Sequence, residues 1–207
     1  MPTSAQVTST QVAHDVIGPI ELFKQWYAHA LNETPLKHPS AVCVSTVSPE
    51  GLPEARFVSL KEVTEAGFVF CSSLTSPKGV SIDANAQVAL TFWWDHIERQ
   101  VRIVGTAQHI SDEDARRYFR ERSRDAQLIT LVSQQSRPLE SQAVLEQNLH
   151  AADQKFEGKD IPRPVNWGGY CVRPTSIEFL EFQQNRVHQR TYFWQQDNDW
   201  CEQRLQP

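Results

Sequence analysis

Cysteine is scarce in this sequence: Cys43, Cys71, Cys171 and Cys201 stand far apart and form no CxxC pair. That spacing offers neither a zinc knuckle nor a dense disulfide framework, so reduced thiols in a cytoplasmic protein with no metal site are expected. Long apolar runs are missing as well. No stretch approaches the roughly 18 consecutive apolar residues of a membrane span, and residues 1–16 lack the basic start and apolar middle of a signal peptide. Positive charge is not in excess: 20 Lys and Arg against 25 Asp and Glu leave a formal net charge of −5. A surface that coats nucleic acid needs the opposite sign, although a local basic cluster is enough to hold one small phosphate ester. Glycine-rich phosphate loops are absent too, with no GxGxxG and no P-loop. Any nucleotide-like cofactor must therefore be held by scattered side chains.

What is present suits one domain. The chain has 207 residues, 40% of them hydrophobic and 10% aromatic, enough to build a real core. Residues 1–16, rich in Ser, Thr and Gln, read as a mobile tail ahead of a single domain over 17–207. Ile20, Phe23, Trp26, Tyr27 and Ala30 recur at helical steps. Strands are expected over 41–47, 54–60 and 67–71, the first two joined at Pro49-Glu50-Gly51. Two longer strands follow over 87–93 and 99–110. Helices are expected over 111–122, where Ser111 opens a capping box, over 125–133, and from Pro138 through Phe156. Strands return over 170–173, 176–182, 191–196 and 200–205, with Asp197-Asn198-Asp199 as the last hairpin turn. Hairpins with inserted helices exclude a doubly wound parallel sheet. They point to a mainly β, antiparallel, closed or nearly closed barrel with helical decoration.

Two stretches carry charge in a pattern that suggests a site. Ser72 to Gly79 is a polar turn opening a helix with Pro77 at its first position, and free N–H groups at such a start favour an anion. Arg186-Val187-His188-Gln189-Arg190, read as extended, places Arg186, His188 and Arg190 on one face. Three such groups repel one another unless an anion or a polar ring lies among them. A charge-guarded strand edge has the same pattern.

Taken together, these pieces resemble the pyridoxine/pyridoxamine 5'-phosphate oxidase family over 17–207. The resemblance is carried by Arg56-Phe57-Val58-Ser59-Leu60-Lys61, Glu98-Arg99-Gln100-Val101, Tyr118-Phe119 with Arg122, and Ser133-Gln134-Gln135-Ser136. It continues in Trp167-Gly168-Gly169, Ile177-Glu178-Phe179, the 186–190 stretch and Arg204-Leu205-Gln206-Pro207. It implies an FMN-binding split β-barrel that forms a homodimer, with flavin at the interface touched by both subunits. The implied flavin contacts are residues 56–61, Cys71, Ser72, Lys78, Gln100, Gln135, Ser136, Leu180 and Arg190, with Arg56, Ser72 and Lys78 at the phosphate. For the substrate it implies Lys61, Tyr118, Arg122 and Ala126 around the phosphate of a vitamin B6 ester. Arg186 and His188 then close over the reacting carbon as the catalytic pair. The implied reaction is hydride transfer from C4' to flavin N5, with dioxygen as the final oxidant.

Three positions depart from the family pattern. Pro77 stands where an Arg is usual, Leu180 where a Trp packs at the flavin, and Ala126 where a Ser meets the substrate phosphate. The first two remove flavin contacts. The third leaves open a related oxidase of another small aromatic or heterocyclic metabolite, of the phenazine-pathway type, or a flavin or B6-phosphate binder without turnover.

Overall fold

The computed structural model describes residues 17–33 and 35–207, so the expected N-terminal tail lies outside the described residues. Helix α1 (Pro19–Asn32) precedes strands β1 (Ala41–Val47), β2 (Pro53–Thr64) and β3 (Gly67–Ser73). Helix α2 (Pro77–Ala84), strands β4 (Gln87–Trp94) and β5 (Arg99–His109), and helices α3 (Asp112–Arg120), α4 (Arg124–Val132) and α5 (Gln142–Lys155) come next. Strands β6 (Trp167–Glu181), β7 (Gln189–Gln196) and β8 (Asp199–Leu205) complete the chain.

The sheet order is β3-β2-β1-β4-β5-β6-β7-β8, and an added β3–β6 pairing closes the first six strands into an antiparallel barrel. Strands β7 and β8 extend from β6 outside the closure, which matches the split barrel expected from the sequence. Alternation fills the interior: Val42, Val44, Leu90, Phe92, Val101 and Ile103 all point inward and are buried. Helix α1 plugs one end. Its Phe23 meets Phe68 at 4.8 Å and Phe92 at 4.9 Å, edge to face, and is completely buried. A second apolar cluster of Val69, Tyr118, Phe119, Leu128, Ala152, Ile161 and Trp167 docks the later helices on the outside of the barrel. Serine hydroxyls cap four helices: Ser76, Ser111, Ser123 and Ser141 each accept from a backbone N–H three residues on.

The structure corrects three expectations. The strands expected over 170–173 and 176–182 are one 15-residue strand. Pro174 and Thr175 lie where the β5–β6 register shifts beside Val104 and Gly105, and a bulge accommodates a proline that regular pairing would not. The helix expected from Pro138 starts only at Gln142, because Ser141 is extended and its side chain caps the first turn. The 186–190 stretch is extended only at Gln189 and Arg190, where β7 begins; residues 186–188 are not in a strand. Arg186 has φ +63° and its N–H donates to the Gln183 carbonyl, while the Asn185 side chain accepts from the Val187 N–H. A turn therefore separates Arg186 from the strand face that carries Arg190.

Candidate active site

Strand β2 runs past the start of α2, and a cavity of about 710 Å³ opens between them, roofed by α4 and the 133–136 loop. Its wall includes Arg56, Lys61, Lys78 and Arg122 and, among the described residues, no aspartate or glutamate. In a chain with net charge −5, four cations around one cavity mark it as a site for anionic groups.

Lys78 shows how the sequence builds the first end. Ser76 caps α2 and Pro77 occupies the first turn, so the Lys78 side chain turns back toward the end of β3. Gly79 permits this approach, since a Cβ there would lie 2.0 Å from the Leu74 carbonyl oxygen. The Lys78 ammonium is almost fully buried and donates to Ser72 Oγ (3.0 Å), Ser76 Oγ (3.2 Å) and Gln135 Oε1 (3.0 Å). All three acceptors are neutral. Burial first, and the nearby Arg56 charge second, push its pKa down to about 8. A buried cation with no carboxylate partner has the chemistry of a phosphate seat. The Gln135 amide oxygen, which also accepts from Ser72 Oγ at 3.3 Å, lies where these donors converge. Arg56 lines the same cavity but is drawn toward β1, donating to Thr46 Oγ1 (2.7 Å) and pairing with Glu54 (3.0 Å).

Lys61 and Arg122 form the second end. Lys61 is aimed by a bulge: β2 and β3 pair at Leu60 and again at Glu62, with a register shift between them. Leu60 itself is buried in the barrel core rather than in the cavity wall. Arg122 lies 5.1 Å above the Trp167 ring and donates to Thr130 Oγ1 at 2.6 Å. Between the two ends lies Cys71, whose thiol is pushed up to about 11 by burial, against the pull of Lys61 and Arg122.

Of the residues implied by the resemblance, Arg56, Phe57, Val58, Ser59, Lys61, Cys71, Ser72, Lys78, Arg122, Gln135 and Ser136 line this cavity together. Tyr118 and Ala126 do not. The Tyr118 hydroxyl donates to the Glu62 carboxylate, which Arg117 also pairs at 3.0 Å. Burial and that carboxylate push the Tyr118 pKa up. Gln100, Leu180 and Arg190 form a cross-strand row on β5, β6 and β7 outside the cavity wall. Arg190 donates to the buried Glu178 carboxylate (2.8 Å) and to the Gln206 carbonyl (2.9 Å). His188 Nδ1 accepts from the Gln183 N–H at 3.0 Å, which leaves the ring proton on Nε2. Its ring stands edge-on to Phe182 at 5.0 Å. Sequence reasoning did not single out Ser76, Thr130 or Asn166. Ser76 was legible as the helix cap beside Lys78. Thr130 had only its four-residue offset from Ala126 to signal it.

The fold and the cavity define a split-barrel protein whose cavity carries cations at both ends. Family models described as pyridoxamine 5'-phosphate oxidase and as the pyridoxine 5'-phosphate oxidase C-terminal dimerisation region match residues 29–156 and 167–207. A pyridoxine/pyridoxamine 5'-phosphate oxidase of Gloeothece citriformis is 43% identical over 91% of this chain and 88% of its own. One of Rubrobacter xylanophilus is 43% identical over 91% and 87%. The crystal structure of PhzG from Burkholderia lata, in complex with tetrahydrophenazine-1-carboxylic acid, superposes with a TM-score of 0.88 at 25% identity, covering 97% of this chain and all of that one. The chain belongs to the pyridoxamine 5'-phosphate oxidase family, and it is an oxidase of that kind. Among the described residues no helix is long and apolar enough to cross a membrane.

Proposed function

We propose that this chain binds FMN and oxidises pyridoxine or pyridoxamine 5'-phosphate to pyridoxal 5'-phosphate, as a step of pyridoxal phosphate formation in the cytoplasm. The observation that carries this reading is Lys78, a buried ammonium beside Arg56 whose contacts are all neutral oxygens. Lys78, Ser72 and Ser76 would hold the flavin phosphate, with Arg56 beside them and the Gln135 side chain yielding its place among the donors. When bound, FMN would supply the hydride acceptor, with dioxygen as the final oxidant and hydrogen peroxide as its product. The residues of the chain do the remaining work. Lys61 and Arg122 seat the anionic group of the substrate, so that its ring is held against the flavin. The alcohol substrate loses its hydroxyl proton to water and becomes the aldehyde directly. The amine loses an N–H proton likewise, and water then hydrolyses the resulting imine to the aldehyde and ammonia, so no strong general base is required.

The Gln100–Leu180–Arg190 row and the 183–188 turn lie apart from the cavity wall. The C-terminal match is to a dimerisation region over 167–207. A homodimer reconciles these facts, because a partner subunit can bring Arg186, His188 and Arg190 to the cavity. Exposed Phe57 beside the cavity and exposed Trp93, paired with Gln100, supply apolar surface for that contact.

The test is direct. Purified protein should be yellow, should release FMN on denaturation, and should produce peroxide with pyridoxine or pyridoxamine 5'-phosphate. A colourless protein that takes up no added FMN removes the reading. A substrate panel should include a partly reduced ring carboxylate, since Lys61 and Arg122 would also seat a carboxylate and PhzG was crystallised with one.

Arg186→Ala and His188→Ala should stay yellow and lose turnover, because this reading places them over the reacting carbon rather than at the flavin. Arg190→Ala should instead weaken FMN or shift its absorption. Its loss also leaves the buried Glu178 carboxylate, among the described residues, with Arg102 as its one ion-pair partner. A colourless Arg186→Ala protein would count against this division of roles.

A further inference from the structure

Position 126, where the resemblance leads one to expect a hydroxyl, carries Ala in this chain and lies outside the cavity wall. One helical turn later on the same face of α4, Thr130 does line the cavity. Its hydroxyl donates its only proton to the Ala126 carbonyl (2.8 Å). Toward Arg122 it is therefore purely an acceptor, and it takes the Arg122 Nη1 hydrogen at 2.6 Å. The Trp167 ring lies 5.1 Å beneath the same guanidinium. Arg122 thus has one donor edge tied to Thr130 and one face on an indole. Among the described residues no carboxylate pairs with it. Its remaining N–H groups are left for a ligand in the cavity. Lys61 is the other cation at that end, and the Tyr118 hydroxyl is committed to Glu62.

We propose that Thr130 is a positioning residue for substrate recognition: it fixes the Arg122 guanidinium so that its free edge receives the anionic group, phosphate or carboxylate, of the ring substrate. A long arginine side chain loses several rotors on binding. A neighbour that fixes it beforehand lowers the entropic cost of each substrate contact. The inference rests on the oxidase reading for the identity of the substrate, though not for the existence of the anion subsite.

The test uses FMN-loaded protein with Thr130→Val, which keeps the shape and removes the acceptor, and Thr130→Ser, which restores it. With pyridoxamine 5'-phosphate, Thr130→Val should raise KM about tenfold, equivalent to about 1.4 kcal/mol, with kcat and FMN affinity within about twofold of wild type. Thr130→Ser should return KM to near the wild-type value. Inorganic phosphate titrated into the holoprotein and followed by flavin absorbance gives a readout without turnover, and Thr130→Val should weaken it by a similar factor. An unchanged KM and phosphate affinity in Thr130→Val, or equal losses in both variants, overturns the proposal. So does a wild-type holoprotein that binds no phosphate. If wild type ignores B6 phosphates while phosphate binding still depends on Thr130, the substrate assignment falls and the positioning role stands.

Discussion

Lys78→Met should yield a protein that folds but is isolated nearly colourless, with FMN affinity lowered about thirty- to thousandfold, corresponding to about 2–4 kcal/mol for truncating one partner of a buried charge pair. Met preserves the volume beside Ser72 and Ser76, so the loss reports the charge rather than a cavity. The effect should exceed that of Gln135→Ala, which removes a neutral acceptor. FMN fluorescence quenching on titration of apoprotein measures both, and equal losses would remove Lys78 from the phosphate seat.

The same residue predicts a pH dependence. In free protein the Lys78 pKa is pushed down to about 8 by burial and by Arg56, and only the ammonium form attracts a phosphate dianion. The phosphate becomes a dianion above about pH 6. FMN affinity should therefore be level between about 6 and 8 and should fall as pH rises through 8. Lys78→Met should flatten that fall. The linkage to stability has the opposite sign. The folded pKa lies below the unfolded value of 10.5, so between the two the unfolded chain binds more protons and this group makes apoprotein more stable as pH rises. FMN should cancel that trend by favouring the charged form.

A dimer of Lys78→Met and His188→Ala chains, isolated through two different tags, should recover about half of the wild-type turnover although each parent homodimer is inactive, because a two-fold axis builds two equivalent sites. Each site would take its Lys78 from one chain and its His188 from the other. The mixed dimer then holds one site with both defects and one with neither. If each site were built within a single chain, both sites of the mixed dimer would carry one defect and turnover would stay near zero. Peroxide formation by the purified mixed dimer decides between the two outcomes. The expectation follows from the cavity wall, which contains Lys78 but neither Arg186 nor His188.

Much of the fold was legible in the residues. Period-two alternation in 41–47, 87–94 and 99–109 and the three- and four-residue steps of Phe23, Tyr27 and Ala30 report burial directly. Asp197 and Asn198 both adopt positive φ in the β7–β8 hairpin, as those residue types favour. Where sequence reading went astray, a local signal was overridden by tertiary contact. Pro174 reads as a strand break, yet pairing with β5 on both sides of the bulge holds β6 together. Arg186 to Arg190 reads as extended because it adjoins a strand, yet the Gln183 and Asn185 contacts close a turn.

The cavity divides in the same way. Ser76-Pro77-Lys78-Gly79 by itself determines a capped helix start carrying a cation, since cap, proline and glycine act within one turn. That the Lys78 ammonium is buried against Ser72 and Gln135, 57 residues apart from the latter, was decided only when β3 and the 133–136 loop were brought together. Glu62 taking the Tyr118 hydroxyl and Thr130 taking Arg122 were equally invisible, because a side chain with a choice of partners selects among those the fold places within reach. Sequence fixes which groups carry charge and which segments are regular. The tertiary structure decides where those charges end up, and it brings Lys61, Lys78 and Arg122, from a strand, a helix start and a helix end, to one cavity.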